Sequence, residues 1–403
     1  MTIDQETLNA GFDAAAPGYA ATAPGFDAAA PDADAELTGM VECVSITDVT
    51  HNVRSFELFA PWMARIDFEP GQYVTVRIPE LECERCYSIA SAPFGTNTFT
   101  LTVKRVDGGA VSTYLHDVLR VGDRVHVDGP YGLFSTSFHP AAKHLFVSGG
   151  SGLSPIMSMV RSLLARPAGA PTDIVLIHNA ATPADIIFRP ELEQLAEVPG
   201  VNVVTMCSRD SATEVWAGRR GRITCEALAE VVPELADRET FVCGPADYMA
   251  AVRVMLDELG VLGSRVHEES FVFATSPAER LAKRAQFAEV EAATEAVSGR
   301  GAEPVGPPSV CGASPLRRFG IDFTGSGKHV ECDPETTVLD AAVEAGMVFP
   351  SSCEEGMCGT CKSVLVSGEV EMNHAGGIRP KEIAAGKFLP CCSTPLSDLV
   401  VER

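Results

Sequence analysis

The sequence predicts a multidomain chain with an antiparallel β-barrel, a parallel α/β sheet and a small α+β domain, in that order. Three observations carry this prediction. Short runs of alternating or β-branched residues follow one another from about residue 39, as in antiparallel strands. From about His144 onward, strands alternate with glycine turns and helical patterns, which indicates a parallel sheet covered by helices. Near the C-terminus, four cysteines lie among short strand and helix patterns.

The composition limits the partners and the compartment. The 403 residues suffice for two or three domains, and a 46% apolar content can fill several cores. A net charge of −23 argues against nucleic acid as a partner and favours a basic patch on a partner protein. No run reaches the ~18 apolar residues of a membrane span, and no secretory signal is present. We therefore expect a cytoplasmic protein with no membrane contact.

Residues 1–37 form a low-complexity arm. The units GFDAAAP, GYAATAP and GFDAAAP follow one another, with proline and glycine in every copy. Such a segment cannot build a core, so we expect disorder. Its aromatic residues, Phe12, Tyr19 and Phe26, form either a weak docking motif or part of a passive tail.

The predicted barrel covers residues 38–140. Its strand candidates are MVECVSITDVT, VRSFELFAP, YVTVRIP, TFTLTVKRV and DRVHVDGP. Arg85, Tyr87 and Ser88 offer a guanidinium for a phosphate, an aromatic ring to pack on a flat cofactor, and a hydroxyl to reach a ring nitrogen. These residue types suit a flavin, although an exposed arginine beside an edge-strand tyrosine would also explain them.

A glycine turn follows in the same region, at Gly108-Gly109-Ala110-Val111-Ser112-Thr113. It leads into the helix-like run STYLHDVL, and backbone amides at a helix start bind phosphate oxygens. A plain tight turn remains the alternative.

Residues 141–274 alternate strands with helices. The strand candidates are HLFVSGG, DIVLIHN, VNVVTMCS, TFVCGP and RVHEESF, and the helical patterns cover Ile156–Leu164, Glu191–Ala196, Cys225–Val231 and Tyr248–Leu259. The turn GGSGLSP after the first strand is not the dinucleotide fingerprint G-x-G-x-x-G, because Pro155 takes the third position. Proline suits the first turn of a helix, where its missing N–H is not needed.

The third strand of this part is followed by Ser208 and Arg209. A hydroxyl and a guanidinium suit the 2′-phosphate of NADPH. By itself the pair favours NADPH over NADH only slightly.

Residues 275–316 read as a linker rich in proline, glycine and serine. Residues 317–403 read as a small mixed domain. FGIDF and KHVEC form a strand pair, KSVLV and EVEM are further strands, and TTVLDAAVEAG is a short helix. Thr337 is its expected N-cap, Asp340 stands in the capping-box position, and Gly346 ends it.

The cysteines of this last domain have the spacing of a metal centre. Cys353, Cys358 and Cys361 follow C-x4-C-x2-C, which with a distant fourth cysteine is the plant-type pattern for a 2Fe–2S cluster. We choose Cys391 as the fourth because Pro395 lies four residues beyond it, as in ferredoxins. Its neighbour Cys392 is then a bystander.

Other thiols and imidazoles are interpreted as structural. Cys83 and Cys86 have zinc-like spacing, but no second pair completes a site. The scattered histidines His139, His144 and His374 are interpreted as structural or solvated.

Six motifs in order, RCYSIASAP, GGAVSTYL, DGPYGLF, SGGSGLSP, VCGP and EESF, resemble the ferredoxin–NADP reductase superfamily. With the cysteine loop, the likeness covers about residues 39–273 and 317–403. It implies a flavin barrel, a nicotinamide nucleotide domain and a β-grasp ferredoxin domain. On this likeness, Arg85 contacts the flavin phosphate, Tyr87 stacks on the ring and Ser88 lies near N5.

The resemblance also assigns the remaining candidate residues. The turn residues Gly109, Ala110, Val111 and Ser112 would hold a pyrophosphate, which favours FAD. Phe271 would cover the other flavin face. The nucleotide turn would use Gly149, Gly150, Gly152 and Pro155. Cys243, Gly244 and Pro245 would border the nicotinamide, and Ser88, Cys243 and Glu269 would be the residues nearest the hydride transfer.

The implied function is a reductase that passes electrons from NAD(P)H through FAD and a 2Fe–2S cluster to an acceptor protein. The segment GEVEMNHAGGIRPKEIAAGKFLPCCSTP most resembles reductase components of Rieske-type oxygenases that demethylate glycine betaine or stachydrine. Two alternatives stay open. One is a reductase for a hybrid-cluster protein or another oxygenase, and the other is a non-catalytic redox sensor or electron store.

Overall fold

The computed structural model describes residues 37–81, 83–166, 173–269, 318–347 and 361–402, with residues 349, 354, 356 and 359. The predicted arm up to residue 36, the predicted linker, Phe271, Cys353 and Cys358 lie outside these residues.

The first domain is built from six antiparallel strands and one helix. They are β1 (Leu37–Thr50), β2 (Val53–Phe59), β3 (Tyr73–Ile78), β4 (Cys83–Ser88), β5 (Thr98–Lys104), α1 (Ala110–Asp117) and β6 (Arg124–Tyr131). The sheet order is β4-β3-β6-β1-β2-β5. Ile89, just after β4, forms a bridge with Leu101 of β5, so the two edges approach each other. The predicted antiparallel barrel is confirmed. Strand β4 was not among its strand candidates, although the edge-strand position of Tyr87 was one of the two interpretations of that segment.

The second domain is a parallel sheet with helices. It contains β7 (His144–Gly149), α2 (Leu153–Leu164), β8 (Ile174–Ala180), α3 (Arg189–Leu195), β9 (Val201–Cys207), β10 (Arg219–Arg220), α4 (Cys225–Val231), β11 (Glu239–Cys243), α5 (Ala246–Glu258) and β12 (Val266–Glu269). The strands pair in the order β10-β9-β8-β7-β11-β12, all parallel, which confirms the predicted parallel sheet. The chain adds strands on one side of β7 and then on the other, so β7 and β11 flank the switch point where α/β sheets bind ligands.

The third domain contains a five-stranded mixed sheet, a two-stranded sheet and two helices. Its elements are β13 (Phe319–Phe323), β14 (Lys328–Cys332), α6 (Val338–Glu344), β15 (Ser363–Ser367), β16 (Val370–Met372), α7 (Pro380–Ala384), β17 (Lys387–Phe388), β18 (Ser393–Pro395) and β19 (Leu399–Glu402). In the order β14-β13-β19-β15-β17, only β13 and β19 run parallel. Thr337 caps α6 as predicted, since its hydroxyl oxygen accepts from the Asp340 amide at 3.2 Å.

The apolar cores show how the domains are joined. Val53 and Phe134 of the first domain pack in the same core as Phe146 and Phe241 of the parallel sheet. The third domain has a core of its own, which shares no residue with the core inside the barrel. The first two domains are therefore joined through apolar packing. The third domain contacts the barrel through hydrogen bonds and charged side chains instead.

No helix within the described ranges is both long enough and apolar enough to cross a membrane.

Candidate active site and cluster loop

The barrel end of the candidate site lies on β4 and β3. Ser88 pairs with Tyr73 across these strands, and Tyr87 pairs with Val74. Tyr87 packs against the barrel core, and burial raises the pKa of its hydroxyl above the usual range, so the ring is neutral. Ser88 is buried, and its hydroxyl has no hydrogen-bond partner among the described residues. That hydroxyl is available for a ligand.

The phosphate-binding candidates lie on neighbouring elements. Helix α1, whose N-cap is Gly109, packs against β4, the strand that carries Arg85. No side chain caps the start of α1, so its first amides remain available. The Ser112 hydroxyl is already hydrogen-bonded within the turn. It donates to Gly109 O and accepts from the Val106 amide, each at 3.2 Å. A guanidinium beside free helix amides fits a pyrophosphate.

The glycine turn of the parallel sheet meets the end of β11. A Cβ on Gly152 would lie 2.2 Å from Cys243 O, so only glycine allows this approach. A Cβ on Gly149 would lie 3.0 Å from the Tyr248 ring and 3.2 Å from Pro245. Gly150, with φ 55°, is left-handed. The structure thus brings the predicted turn and the predicted Cys243-Gly244-Pro245 segment together.

Pro155 lies in the first turn of α2, as predicted. Its missing N–H costs no helix hydrogen bond there.

A buried carboxyl lies between the two domains. Glu269 ends β12 opposite Cys243, and both side chains are buried. A Cβ on Gly132 would lie 3.4 Å from Glu269 Oε1 and 2.9 Å from the Tyr73 ring. Burial raises the pKa of Glu269 and of Cys243 well above ordinary values, so both groups hold their protons at neutral pH. Contacts therefore run from Ser88 through Tyr73 and Gly132 to Glu269 at the domain junction.

Asn179 is a site candidate that the sequence reading missed. It lies next to Gly149 in the sheet, and its side-chain oxygen is 2.8 Å from the Tyr248 hydroxyl. Its amide nitrogen is buried and has no hydrogen-bond partner among the described residues. An unpaired buried donor beside a nucleotide turn is costly unless a ligand accepts from it. The signal was a polar residue at the carboxyl end of an apolar parallel strand.

Ser208 and Arg209 lie beyond β9, alongside the end of β8. Their amides donate to Ala180 O at 3.1 Å and to Ala181 O at 3.0 Å. The Arg209 guanidinium has no carboxylate partner among the described residues. Its neighbours are neutralised, since Arg219 binds Glu230 and Arg220 binds Asp210. Arg209 is therefore a cation that remains available to an anionic ligand.

The cluster loop is described in part. Cys361 and Cys391 are buried in one core. Gly356 and Gly359, within the C-x4-C-x2-C loop, have φ 69° and 73°, which lets the backbone curl tightly. Cys392 Sγ lies 2.7 Å from where a Gly356 Cβ would be. Buried thiols around a tight glycine loop fit an iron–sulfur cluster by their donor chemistry.

A separate group of His139, Glu239 and His267 lies at the other end of β11. His267 Nε2 is 2.7 Å from Glu239 Oε1, and the two imidazoles stack with ring centres 3.6 Å apart and planes within 20°. Stacked rings direct their nitrogen lone pairs along nearly parallel planes, so they cannot both face one ion without turning. We assign the group to packing, in line with the interpretation of His139.

Comparison with known families gives three successive matches. The oxidoreductase FAD-binding domain matches residues 40–136, the oxidoreductase NAD-binding domain residues 146–254, and the 2Fe-2S iron-sulfur cluster binding domain residues 321–396.

Similar proteins share the whole arrangement. A glycine betaine monooxygenase reductase subunit of Pseudomonas aeruginosa is 39% identical over 90% of this chain and 94% of its own length. The stachydrine N-demethylase reductase subunit of Rhizobium meliloti is 35% identical over 90% and 96%. The ferredoxin reductase component of 3-ketosteroid-9-alpha-monooxygenase from Mycobacterium tuberculosis is 31% identical over 83% and 85%.

Solved structures share the fold. Phthalate dioxygenase reductase aligns with TM-score 0.53 and 24% identity over 91% of this chain and 98% of that chain. A type IV self-sufficient cytochrome P450 monooxygenase aligns with TM-score 0.59 and 20% identity over 90% of this chain, which spans 41% of that longer chain. The Amycolatopsis cytochrome P450 reductase aligns with TM-score 0.52 and 28% identity over 58% and 69%.

Proposed function

This chain belongs to the family of oxygenase reductase components that join an FAD-binding, an NAD-binding and a 2Fe–2S domain, and we propose that its acceptor is a Rieske-type oxygenase demethylating a quaternary ammonium compound such as glycine betaine. The protein is an NAD(P)H-dependent flavin and iron–sulfur oxidoreductase. The observation that supports the acceptor is the identity over 90% of the chain to two relatives, 39% to a glycine betaine monooxygenase reductase subunit and 35% to a stachydrine N-demethylase reductase subunit.

In this proposal the barrel holds FAD. Arg85 and the turn of Gly109, Ala110, Val111 and Ser112 bind its pyrophosphate. The donors are the first amides of α1, since the Gly109 amide already donates to Val106 O at 3.0 Å. Tyr87 packs on the ring system, and the unpartnered Ser88 hydroxyl donates to a ring nitrogen. When bound, FAD accepts a hydride and passes electrons on singly, while the protein supplies position and electrostatics. Phe271, proposed to cover the other ring face, lies outside the described residues.

The parallel sheet holds the nicotinamide nucleotide at its switch point. Gly149, Gly150, Gly152 and Pro155 form its turn, and Gly244 and Pro245 line the opposite wall. We add Asn179, held by Tyr248, as a donor to the nucleotide phosphates or ribose. Cys243 and Glu269 are proposed to border the reacting ring, where their burial excludes water.

We propose that Ser208 and Arg209 receive the adenosine end of the nucleotide. Because Arg219 and Arg220 are already paired, Arg209 carries the preference for a 2′-phosphate, and we propose NADPH as the preferred donor.

Cys353, Cys358, Cys361 and Cys391 are the proposed cluster ligands. Glu354 lies in the cluster loop of a chain with net charge −23, so we propose that the acceptor presents a basic patch to the 2Fe–2S domain. Because clustered thiols stay reduced in the cytoplasm, we propose that the protein is cytoplasmic.

The test is reconstitution. The purified reductase, a candidate Rieske oxygenase, NADPH or NADH and glycine betaine should release formaldehyde, and stachydrine should be tried beside it. Release with neither substrate, in a mixture where the reductase still reduces cytochrome c, would rule out this acceptor and leave another oxygenase, as the 31% identical steroid system suggests. If the reductase also failed to reduce cytochrome c, the result would favour the alternative of a non-catalytic redox sensor or electron store.

A further inference from the structure

A loop of the third domain, residues 373–377, contacts the barrel close to the candidate active site. The Gly132 amide, just after β6, donates to Gly376 O at 3.2 Å. On its other side, this loop is bonded to the cluster loop, since the Gly377 amide donates to Gly356 O at 2.9 Å. The backbone of residues 376 and 377 thus lies between Gly132, which is next to Glu269, and the loop of the cluster cysteines.

Glycine is required where the two domains meet. Gly376 has φ 90°, a conformation that other residues rarely adopt. A Cβ at this position would lie 2.7 Å from Gly132 Cα and 2.8 Å from Gly132 C. Any side chain at residue 376 would push the domains apart, so the close approach depends on its absence.

A group of charges around Tyr131 surrounds this contact. Lys362 Nζ and Arg379 Cζ lie 5.0 and 5.1 Å from the centre of the Tyr131 ring, within the range of cation–π attraction. Arg379 also donates to Gly129 O at 3.3 Å and lies 3.7 Å from Asp128. Two cations of the third domain are therefore drawn to the end of β6.

The same two cations are held in place by one carboxylate of their own domain. Glu382 accepts from Lys362 at 2.7 Å and from Arg379 at 3.2 Å. Burial alone would raise the pKa of Glu382, but these hydrogen bonds outweigh it and lower the pKa to about 2. Glu382 stays ionised and fixes both cations toward Tyr131.

We propose that this surface, formed by Tyr131 and Gly132 on the barrel and by Lys362, Gly376 and Arg379 on the 2Fe–2S domain, is a releasable docking site that holds the domain for electron transfer and lets it leave for the acceptor. The inference rests on the proposed function. For each hydride that FAD receives, two electrons would pass to the cluster one at a time, each reducing one ferric iron, and the single proton released by reduced FAD would go to solvent.

The composition of the contact explains why it can open. It is polar and charged, and it lies apart from the apolar cores of the two domains. Polar contacts between domains resemble transient interfaces. Lys362 and Arg379 keep side-chain exposures of 15% and 20%, so concentrated salt can reach and screen these charges, although less than it screens fully exposed ones.

Hydrogen exchange on the full chain loaded with FAD and cluster tests the docking directly. At low ionic strength the Gly132 amide should be protected. Arg379→Glu places a negative charge beside Asp128 and should speed exchange at Gly132 about tenfold. Lys387→Glu, the same charge change on an exposed lysine of β17 in the same domain, should leave the exchange unchanged. Salt at about 1 M, where screening acts beyond about 3 Å, should speed exchange in the unmodified protein.

Equal Gly132 exchange in Arg379→Glu and wild type, or no effect of salt on wild type, would overturn the docking site. The salt series needs no substitution, so it decides the question even if the variant folds poorly. NAD(P)H-driven reduction of ferricyanide by wild type reports separately on the flavin half of the proposed function. Loss of that activity with intact Gly132 protection would reject the function and leave the docking site in place.

Discussion

Glu269 and Cys243 occupy paired positions on neighbouring parallel strands, and they are only 3% and 1% exposed. Both groups are neutral because burial opposes their charged forms. A protonated carboxyl thus lies at the junction of the two domains, where it can donate a hydrogen bond without repelling an electron-rich ring.

The first prediction concerns the pH dependence of stability. The unfolded chain loses the Glu269 proton near the ordinary pKa of 4.5, whereas the folded chain keeps it to a higher pH. The free energy of unfolding should therefore fall as pH rises above 4.5. Glu269→Gln removes this penalty, so its melting temperature at about pH 8 should exceed that of wild type by about 2 °C or more.

The difference in melting temperature between Glu269→Gln and wild type should shrink toward about pH 5, where the unfolded chain also holds part of this proton. Exposed Glu197→Gln is the matched control and should not change the slope. Parallel pH profiles for wild type and Glu269→Gln would contradict a buried neutral carboxyl.

The second prediction concerns the nucleotide turn. Gly152→Ala places a methyl group 2.2 Å from Cys243 O, so the turn must move away from β11. Displacement of about 1 Å should lower kcat/KM for NAD(P)H about a hundredfold in a ferricyanide assay. Gly263→Ala, at a glycine with no atom within 4 Å of its Cβ position, should keep full activity. Equal activity of the two variants would place the nucleotide elsewhere.

The third prediction concerns the choice of nucleotide. Arg209→Ala should raise KM for NADPH about tenfold, because a charged hydrogen bond to the 2′-phosphate is lost, and should leave KM for NADH nearly unchanged. Arg219→Ala removes a guanidinium that already binds Glu230 and should affect both nucleotides alike. Steady-state kinetics with each donor checks this. A wild-type enzyme that strongly prefers NADH would contradict the assignment of Arg209.

The fourth prediction concerns Asn179. Asn179→Ala removes an amide donor beside Gly149 and should raise KM for NAD(P)H about fivefold with little change in kcat. Tyr248→Phe keeps the ring over the turn but releases the Asn179 oxygen, so it should show a smaller rise in KM. If Asn179→Ala lowered kcat and thermal stability with no change in KM, Asn179 would be a structural residue instead.

The fifth prediction separates two adjacent thiols. Cys391→Ser should lose the visible and electron paramagnetic resonance signals of the cluster and its two irons per chain. FAD content and ferricyanide reduction should remain. Cys392→Ser should keep both irons, since this thiol lies against Gly356 as a packing group. The reverse result, with iron lost only from Cys392→Ser, would exchange the two assignments.

The order of the three folds and most helices were predictable from local patterns. Thr337 was predicted as the cap of α6 because a hydroxyl three residues before an acidic side chain is a local signal. Strand β4 was missed because its inward residues, Cys86 and Ser88, alternate with charged and aromatic neighbours instead of with a plain polar face.

The remaining features depend on contacts distant in the chain. The Asn179 side chain is oriented by the Tyr248 hydroxyl, which is distant in sequence. An asparagine at a strand end is not a motif by itself. The ion pairs of Arg219 and Arg220, which Arg209 lacks, also depend on the tertiary structure. The meeting of Gly132 with Gly376 could not be read from either segment, because each glycine alone predicts only a turn.

That meeting has a consequence for how such proteins diversify. A Cβ on Gly376 would strike the backbone of Gly132, so the two positions are constrained jointly although they belong to different domains. A reductase assembled from the barrel of one relative and the 2Fe–2S domain of another would inherit a mismatched joint wherever residue 376 carries a side chain. Engineers who exchange electron-delivery modules would do well to transplant the tip of β6 together with the loop that rests on it.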